Sequence, residues 1–245
     1  MVKKIVVFDL DETLGYFFQL SFFWKLLMCY LKLKNEFNEF TQEYFNNILD
    51  LYPEFIRPDM FSVLNYLKLK KIEGECDSVM IYTNNQFSKK WVHLIKNYFE
   101  DKINYKIFNN IICAFKINGK KVELLRNSHE KTYNDLISCA KIPKNAQICF
   151  IDDNYYPNMH SNIIYYIRVK PYIFNLKIET ILKRFLLSNI GKSIIKNDVE
   201  FIKYVNENIT KNIITKNYKE YEIDKIVTKK IMMHLDEFFD KIKND

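Results

Sequence analysis

Three short apolar runs stand out along the chain, each rich in β-branched or aromatic residues and each ending in acids, hydroxyls or amides. Ile5 to Phe8 gives way to Asp9-Leu10-Asp11-Glu12-Thr13, Val79 to Tyr82 to Thr83-Asn84-Asn85, and Ile148 to Ile151 to Asp152-Asp153-Asn154. Apolar runs of this length bounded by polar clusters read as buried strands. In an open parallel sheet, ligands bind at the C-terminal ends of the strands, so the three polar clusters are expected to meet in one crevice. Before the third run, Tyr133, Leu136, Ile137 and Ala140 recur at helical spacing, with Lys131 at the start of the stretch. A crossover helix runs antiparallel to its strands, so its N-terminus returns to the same edge and Lys131 is expected to face the carboxylates. A lysine at a helix start opposes the macrodipole, and such a broken local rule is commoner at a site than elsewhere.

The remaining periodicity is helical. Residues 16–52 predict two helices, from Phe17 to Leu33 and from about Phe37 to Leu51, where Phe37, Phe40, Tyr44, Phe45 and Ile48 repeat at three and four. Trp91, Leu94, Ile95 and Tyr98 share another helix with His93. Asn118-Gly119 predicts a type I′ hairpin turn, which puts Lys116, Lys120 and Lys121 on a β-ribbon away from the crevice and leaves Lys131 as the lysine of the site. The tail from about Phe174 predicts helices with three apolar faces: Ile178, Ile181, Leu182 and Phe185; Val199, Ile202, Val205 and Ile209; and Ile226, Ile231, Leu235, Phe238 and Phe239. These expectations give a core over residues 1–172 with a helical insertion at 16–52, and a helical extension over 173–245 that reads as a packed appendage.

Composition narrows the setting. Five cysteines, Cys29, Cys76, Cys113, Cys139 and Cys149, are odd in number and lack Cys-x-x-Cys spacing, which fits a reduced intracellular compartment without structural zinc. No signal peptide is expected before the first strand, and Lys25 and Lys32 interrupt the apolar stretch from Tyr16 to Leu33, so no membrane span is expected. The net charge of +7 is dispersed, with 14 basic and 11 acidic residues after position 173. Interspersed charge of this kind is a solvated surface that also suits acidic, phosphorylated partners, and no basic stripe predicts specific nucleic-acid binding. A Gly-x-x-x-x-Gly-Lys loop is absent, which argues against a fused kinase.

The Asp-Leu-Asp-Glu-Thr-Leu sequence after an apolar strand resembles the haloacid-dehalogenase (HAD) superfamily, with Asp9, Asp11 and Thr13 in its first motif, Thr83 in the second, Lys131 in the third and Asp152-Asp153 in the fourth. Glu12, together with Arg57-Pro58 leading into Met60, Phe61, Val63, Leu64 and Leu67, is similar to the branch of NLI-interacting-factor-like phosphatases, which includes those of the RNA polymerase II C-terminal domain. The resemblance covers residues 1 to about 172. It departs in the two helices at 16–52, where the small C-terminal-domain phosphatases carry strands, and in Thr83-Asn84-Asn85, which is closer to general members of the superfamily.

The resemblance implies a doubly wound parallel-sheet α/β core of HAD-like, Rossmannoid type and a Mg²⁺-dependent phosphatase. Phosphate monoester hydrolysis needs accelerations of up to ~10²¹, beyond the ~10² to 10⁴ of one acid or base, so a nucleophile, a metal and a clamp are all required. The implied roles meet that demand. Asp9 is the nucleophile that forms an aspartyl phosphate, and Asp11 is the general acid and then base. Asp9, the backbone carbonyl of Asp11 and Asp152 hold Mg²⁺. Thr83, Asn84 and Lys131 hold the phosphoryl oxygens, helped by backbone N–H groups after Asp9 and at the helix following Asn85. Asp153 either reaches the metal through water or orients Lys131, and Thr13 caps the turn after the strand. The expected substrate is phosphoserine or phosphothreonine in protein. A small phosphate ester or nucleotide, and an inactive interaction module, are the alternatives, though intact Asp9 and Asp11 argue against inactivity.

Overall fold

The computed structural model describes residues 2–35, 41–208 and 218–240. Five parallel strands form the central sheet: β1 (Lys4–Phe8), β2 (Ser78–Tyr82), β3 (Phe108–Ile112), β6 (Gln147–Asp152) and β7 (Ile164–Arg168), with β4 (Lys116–Ile117) and β5 (Lys120–Lys121) as a separate antiparallel ribbon. Their order across the sheet is β3-β2-β1-β6-β7. The chain therefore winds outward from β1 through β2 to β3, then crosses back to β6 and continues to β7. This is a doubly wound α/β fold, and the order reverses between β1 and β6, where a ligand crevice is expected. β1 is paired on both sides, with Phe8 opposite Ile81 on one flank and opposite Ile151 on the other.

Alternation along the strands divides the core into two layers. Val6, Phe8, Val79, Ile81, Cys149 and Ile151 face one side, where they share an apolar cluster with α1 (Phe18–Leu33), α2 (Gln42–Leu49), α3 (Met60–Ile72) and α4 (Lys89–Ile103). Ile5, Val7, Met80, Tyr82, Ile148 and Phe150 face the other, against Leu136 of α5 (Tyr133–Ala140) and Met159. Both faces are covered, which is why the strands read as continuous apolar runs.

The helical tail comprises α6 (Ile178–Leu187), α7 (Asn189–Ile194), α8 (Asp198–Asn208) and α9 (Tyr218–Asp240), and it buries Phe185, Phe201, Val205, Ile231, Leu235 and Phe239 in the same cluster as Val6 and Phe8. Two expected faces shift. On α8, Phe201 and Val205 point inward, Phe201 against Tyr30 of α1, while Val199 is 78% exposed. On α9, Ile226 is exposed and the buried face is Ile231, Leu235, Phe238 and Phe239. Ile209, Phe37 and Phe40 lie outside the described residues.

α1 starts one residue later than the periodicity predicts, and the described part of the second helix runs from Gln42, N-capped by Thr41, to Leu49. Asn118 and Gly119 have φ of 50° and 76°, the pair of positive values that a type I′ turn requires, and they join β4 to β5. No described helix is long and apolar enough to cross a membrane. All five cysteines are free.

Candidate active site

The loop after β1 stays on the sheet for one residue more, since the Asp9 N–H donates to the Ile151 carbonyl (2.9 Å). It then folds back on itself. The Leu14 N–H returns to the Leu10 carbonyl (3.0 Å), and the Glu12 N–H to that of Gly15 (2.7 Å). Glu12 turns the chain in the left-handed region, with φ of 62°, at a cost of roughly 1–2 kcal/mol for a residue with a side chain. Gly15 is needed for a different reason: a Cβ there would run into the Phe55 carbonyl oxygen and the Phe17 ring.

What holds this strained loop is Arg57, fully buried, whose guanidinium donates from Nε to the Thr13 carbonyl (2.6 Å) and from Nη2 to the carbonyls of Glu12 (2.6 Å) and Lys170 (2.8 Å). The Tyr172 N–H adds a second bond to the Glu12 carbonyl (2.8 Å). Burial lowers the Arg57 pKa to about 10, with Asp224 on α9 opposing the shift. The arginine is charged at any physiological pH. Its position in sequence marks it only as part of Arg57-Pro58; the strapping role follows from the loop geometry.

Lys131, 1% exposed, lies just before Thr132, the N-cap of α5, and its ammonium sits 2.5 Å from Asp9 Oδ1 and 2.6 Å from Asp152 Oδ2. Burial alone would lower its pKa, but Asp9 and Asp152 outweigh burial and keep it above the ordinary lysine value. Asp152 in turn is raised to about 7, first by burial and further by Asp9, with Lys131 pulling it back. Among the described residues one group of carboxylates converges closely enough to hold a cation, Asp9, Asp152 and Asp153, with one oxygen of each within 4.8 Å of the others. Asp153 accepts from Thr13 Oγ1 (3.3 Å) and Asn154 Nδ2 (2.9 Å) and is raised by burial and then by Asp9. Thr13 thus points into the site and steadies Asp153.

The Asp11 carboxylate stands apart from that group and accepts from Asn85 Nδ2 (2.7 Å). Its pKa rises to about 7, because burial outweighs the Asn85 hydrogen bond and Asp9 adds to the rise. Asn85, which sequence reasoning placed beside Thr83 without a role, is its partner.

Thr83 extends β2 by one residue, its N–H donating to the Ile112 carbonyl (2.9 Å). Its Oγ1 accepts the Asn85 N–H (3.0 Å), which leaves the hydroxyl hydrogen to donate into the crevice. The helix after Asn85 begins only at Lys89, and Ser88 Oγ caps it at the Trp91 N–H (3.0 Å). Asn84 and Asn85 line the crevice there, and the helix start at Ser88 and Lys89, whose N–H groups were expected to reach it, is not among its lining residues.

Arg126 is the residue that sequence reasoning missed. Fully buried, it donates from Nη1 to the carbonyls of Thr83 (3.1 Å) and Cys113 (2.8 Å), and from Nη2 to Asn84 Oδ1 (2.8 Å) and the carbonyls of His129 and Glu130 (both 3.2 Å). It ties the strand end bearing Thr83 to the loop bearing Lys131. Nothing in its sequence surroundings separates it from nearby surface cations.

These groups open into a cleft of about 540 Å³ lined by Asp9, Asp11, Thr83, Asn84, Lys131 and Asp153 on the sheet side and by Tyr16, Phe18, Phe22 and Lys25 on the α1 side. Lys116, Lys120 and Lys121 are not among its lining residues, and His93 and His160 are exposed outside it. No protein-family model matches the chain, and no curated protein matches it.

Proposed function

We propose that this chain is a Mg²⁺-dependent phosphatase of the HAD type, resembling the NLI-interacting-factor-like branch, and that it hydrolyses phosphoserine or phosphothreonine in protein by way of an aspartyl phosphate. The observation that carries this reading is the Lys131 ammonium bridging Asp9 and Asp152, with Asp11 held apart from them by Asn85. A purely structural ion pair needs one acid. Here four acids and a lysine gather where the strand order reverses, with Asp9, Asp152, Asp153 and Lys131 buried, and burying such ions costs several kcal/mol each that nothing in folding requires.

The donor set fits Mg²⁺, a hard cation that takes carboxylate oxygens. Asp9, Asp152 and Asp153 would hold it, with the Asp11 carbonyl as a further ligand, and it would supply charge neutralisation at the phosphoryl group. The chain's own residues carry the steps. Lys131 and the Thr83 hydroxyl bind phosphoryl oxygens, and Asn84 orients them. With Lys131 on Asp9 Oδ1, Oδ2 is the oxygen left to attack phosphorus; the bond to the leaving oxygen breaks as Asp11 gives that oxygen its proton. Asp11 then takes a proton from water, whose oxygen attacks the aspartyl phosphate and releases inorganic phosphate and free Asp9.

The choice of a protein substrate rests on α1. Its inner face, Leu20, Phe23, Trp24 and Leu27, is packed against Phe45, Trp91 and Phe185, so it is a fixed wall of the cleft. A lid has few buried contacts and this helix has many. An open crevice admits a phosphorylated loop, and an intracellular setting, cytoplasmic or nuclear, goes with that substrate.

The first test is hydrolysis of an aryl phosphate with Mg²⁺, with chelator, and by Asp9→Asn. Activity is expected only with the metal, and Asp9→Asn is expected to lose several orders of magnitude, since loss of a nucleophile costs up to ~10⁶. Full turnover by Asp9→Asn removes the mechanism. A strong preference for sugar or nucleotide phosphates over phosphopeptides moves the substrate to the small-molecule class.

A further inference from the structure

The cleft does not end at Asp9. Along α1, Phe18, Ser21, Phe22 and Lys25 line it at spacings of three and four, so one helix face forms its wall. The loop after β2 faces that wall with Gln86 and Phe87. Lys25, Gln86 and Phe87 also line a second cavity of about 710 Å³, which continues past Met28 to Lys90 and Asn118. The two spaces make one groove that leaves the catalytic carboxylates and runs along α1.

Chemistry changes along its length. Next to Asp9 the wall is aromatic: Tyr16, Phe18 and Phe22 stand with ring centroids 6.4 Å apart in sequence order, and Phe18 is 64% exposed. With Tyr16 and Phe22 half-buried on either side of it, Phe18 makes a contiguous apolar patch along the cleft, the kind of surface that a ligand covers. Beyond them comes Lys25, exposed and without an ion pair among the described residues. The seven residues from Phe18 to Lys25 advance the helix by roughly 10 Å. An extended peptide covers that in about three residues at ~3.3 to 3.6 Å each.

We infer that this groove reads an acidic residue about three to four positions from the phosphorylated residue, with Lys25 as the cation that pairs with it and Phe18 and Phe22 packing on the side chains between. The inference rests on the phosphatase reading above and deepens it. A nucleic-acid strand fits less well, because it carries a charge at every residue. Between Asp9 and Lys25 the wall offers rings and no cation, while Asp11 and Glu12 at the near end repel further phosphates.

The test is a set of phosphoserine peptides with one glutamate moved from five positions before the phosphoserine to five after it, each beside a twin with glutamine. At low salt, kcat/KM is expected to rise about 2- to 5-fold over the twin at three or four positions on one side, the range an exposed ion pair of ~0.2 to 1 kcal/mol gives. The gain fades at high salt. In Lys25→Glu the preference inverts, so that lysine at that position is favoured over glutamate. A flat scan, or a glutamate preference that survives Lys25→Glu, overturns the inference, as does a 5′-phosphorylated oligonucleotide turned over better than every peptide. Aryl phosphate is the control: if wild type fails to hydrolyse it with Mg²⁺, the catalytic reading falls first, whereas turnover with a flat scan sinks the groove alone.

Discussion

At the scale of single residues, the Asp11 carboxyl exchanges water for a walled loop and keeps one hydrogen bond, from Asn85, so its pKa climbs from 3.8 to about 7. The folded chain then binds a proton there that the unfolded chain has released. Between pH ~4 and ~7 stability must therefore fall as pH rises, and the penalty is complete above the folded value. Asn in place of Asp mimics the protonated acid and still accepts from Asn85. In the metal-free protein, Asp11→Asn is expected to raise the melting temperature at pH 7.5 by roughly 4 to 8 °C: a rise of about 3 pKa units is ~4 kcal/mol, roughly halved because Asp11 lines an open cleft where water screens it, at ~2–4 °C per kcal/mol for a chain of this size. The gain should vanish below pH ~4. The same variant should cost ~10² to 10⁴ in kcat, and less with leaving groups that need no proton. A melting temperature that is unchanged at pH 7.5, or raised equally at pH 4 and 7.5, would show that Asp11 is not held in an unfavourable charged state.

At the scale of elements, three strands were legible because each carries residues of the candidate site at its own end: the apolar run and the polar cluster that follows are contiguous in sequence. β3 and β7 carry no such mark. Asn109 and Asn110 break the first, and Tyr165 and Tyr166 are half-buried on the second. Lys131 was legible through topology, since an antiparallel crossover helix must start at the carboxylate edge. Arg57 and Arg126 show the opposite case. Each bonds carbonyls distant in sequence, with separations of 44 and 113 residues for Arg57 and up to 43 for Arg126, and no local pattern encodes such contacts. Arg57→Lys tests the strap. A lysine keeps the charge but loses the planar fork that bonds Thr13, Glu12 and Lys170 together, and the left-handed turn at Glu12 loses its main restraint. kcat is expected to fall about 10²-fold with KM nearly unchanged, as a shift of ~1 Å at Asp9 predicts. Loss of KM alone, with kcat intact, would mean that Arg57 does not position Asp9.

At the scale of the whole molecule, the sequence suggests a core and an appendage, whereas the packing joins them in one apolar cluster. Phe185 sits 5.2 Å from Phe23 of α1, Phe201 lies against Tyr30, and α9 lays Leu235 and Phe239 beside α3 and β7. Side chains on α6, α8 and α9 thus complete the layer that covers Val6 and Phe8, the strand that delivers Asp9. Arg184 on α6 adds a paired contact to Glu54 (2.9 and 2.7 Å), next to the turn whose Phe55 carbonyl receives the Tyr16 N–H. Burial of a Leu or Phe contributes about 1.5–3 kcal/mol, so Phe185, Phe201, Leu235 and Phe239 together reach the ~5–15 kcal/mol by which a domain of ordinary stability is folded. A chain cut after residue 173 should therefore fail to fold cooperatively and to turn over an aryl phosphate. The intact chain, by contrast, should unfold in a single calorimetric transition with equal calorimetric and van't Hoff enthalpies, because the tail and the sheet share one core. Two separated transitions, or a truncated chain that keeps the melting temperature and aryl-phosphate turnover of the intact one, would establish the tail as an independent unit resting on a self-sufficient core.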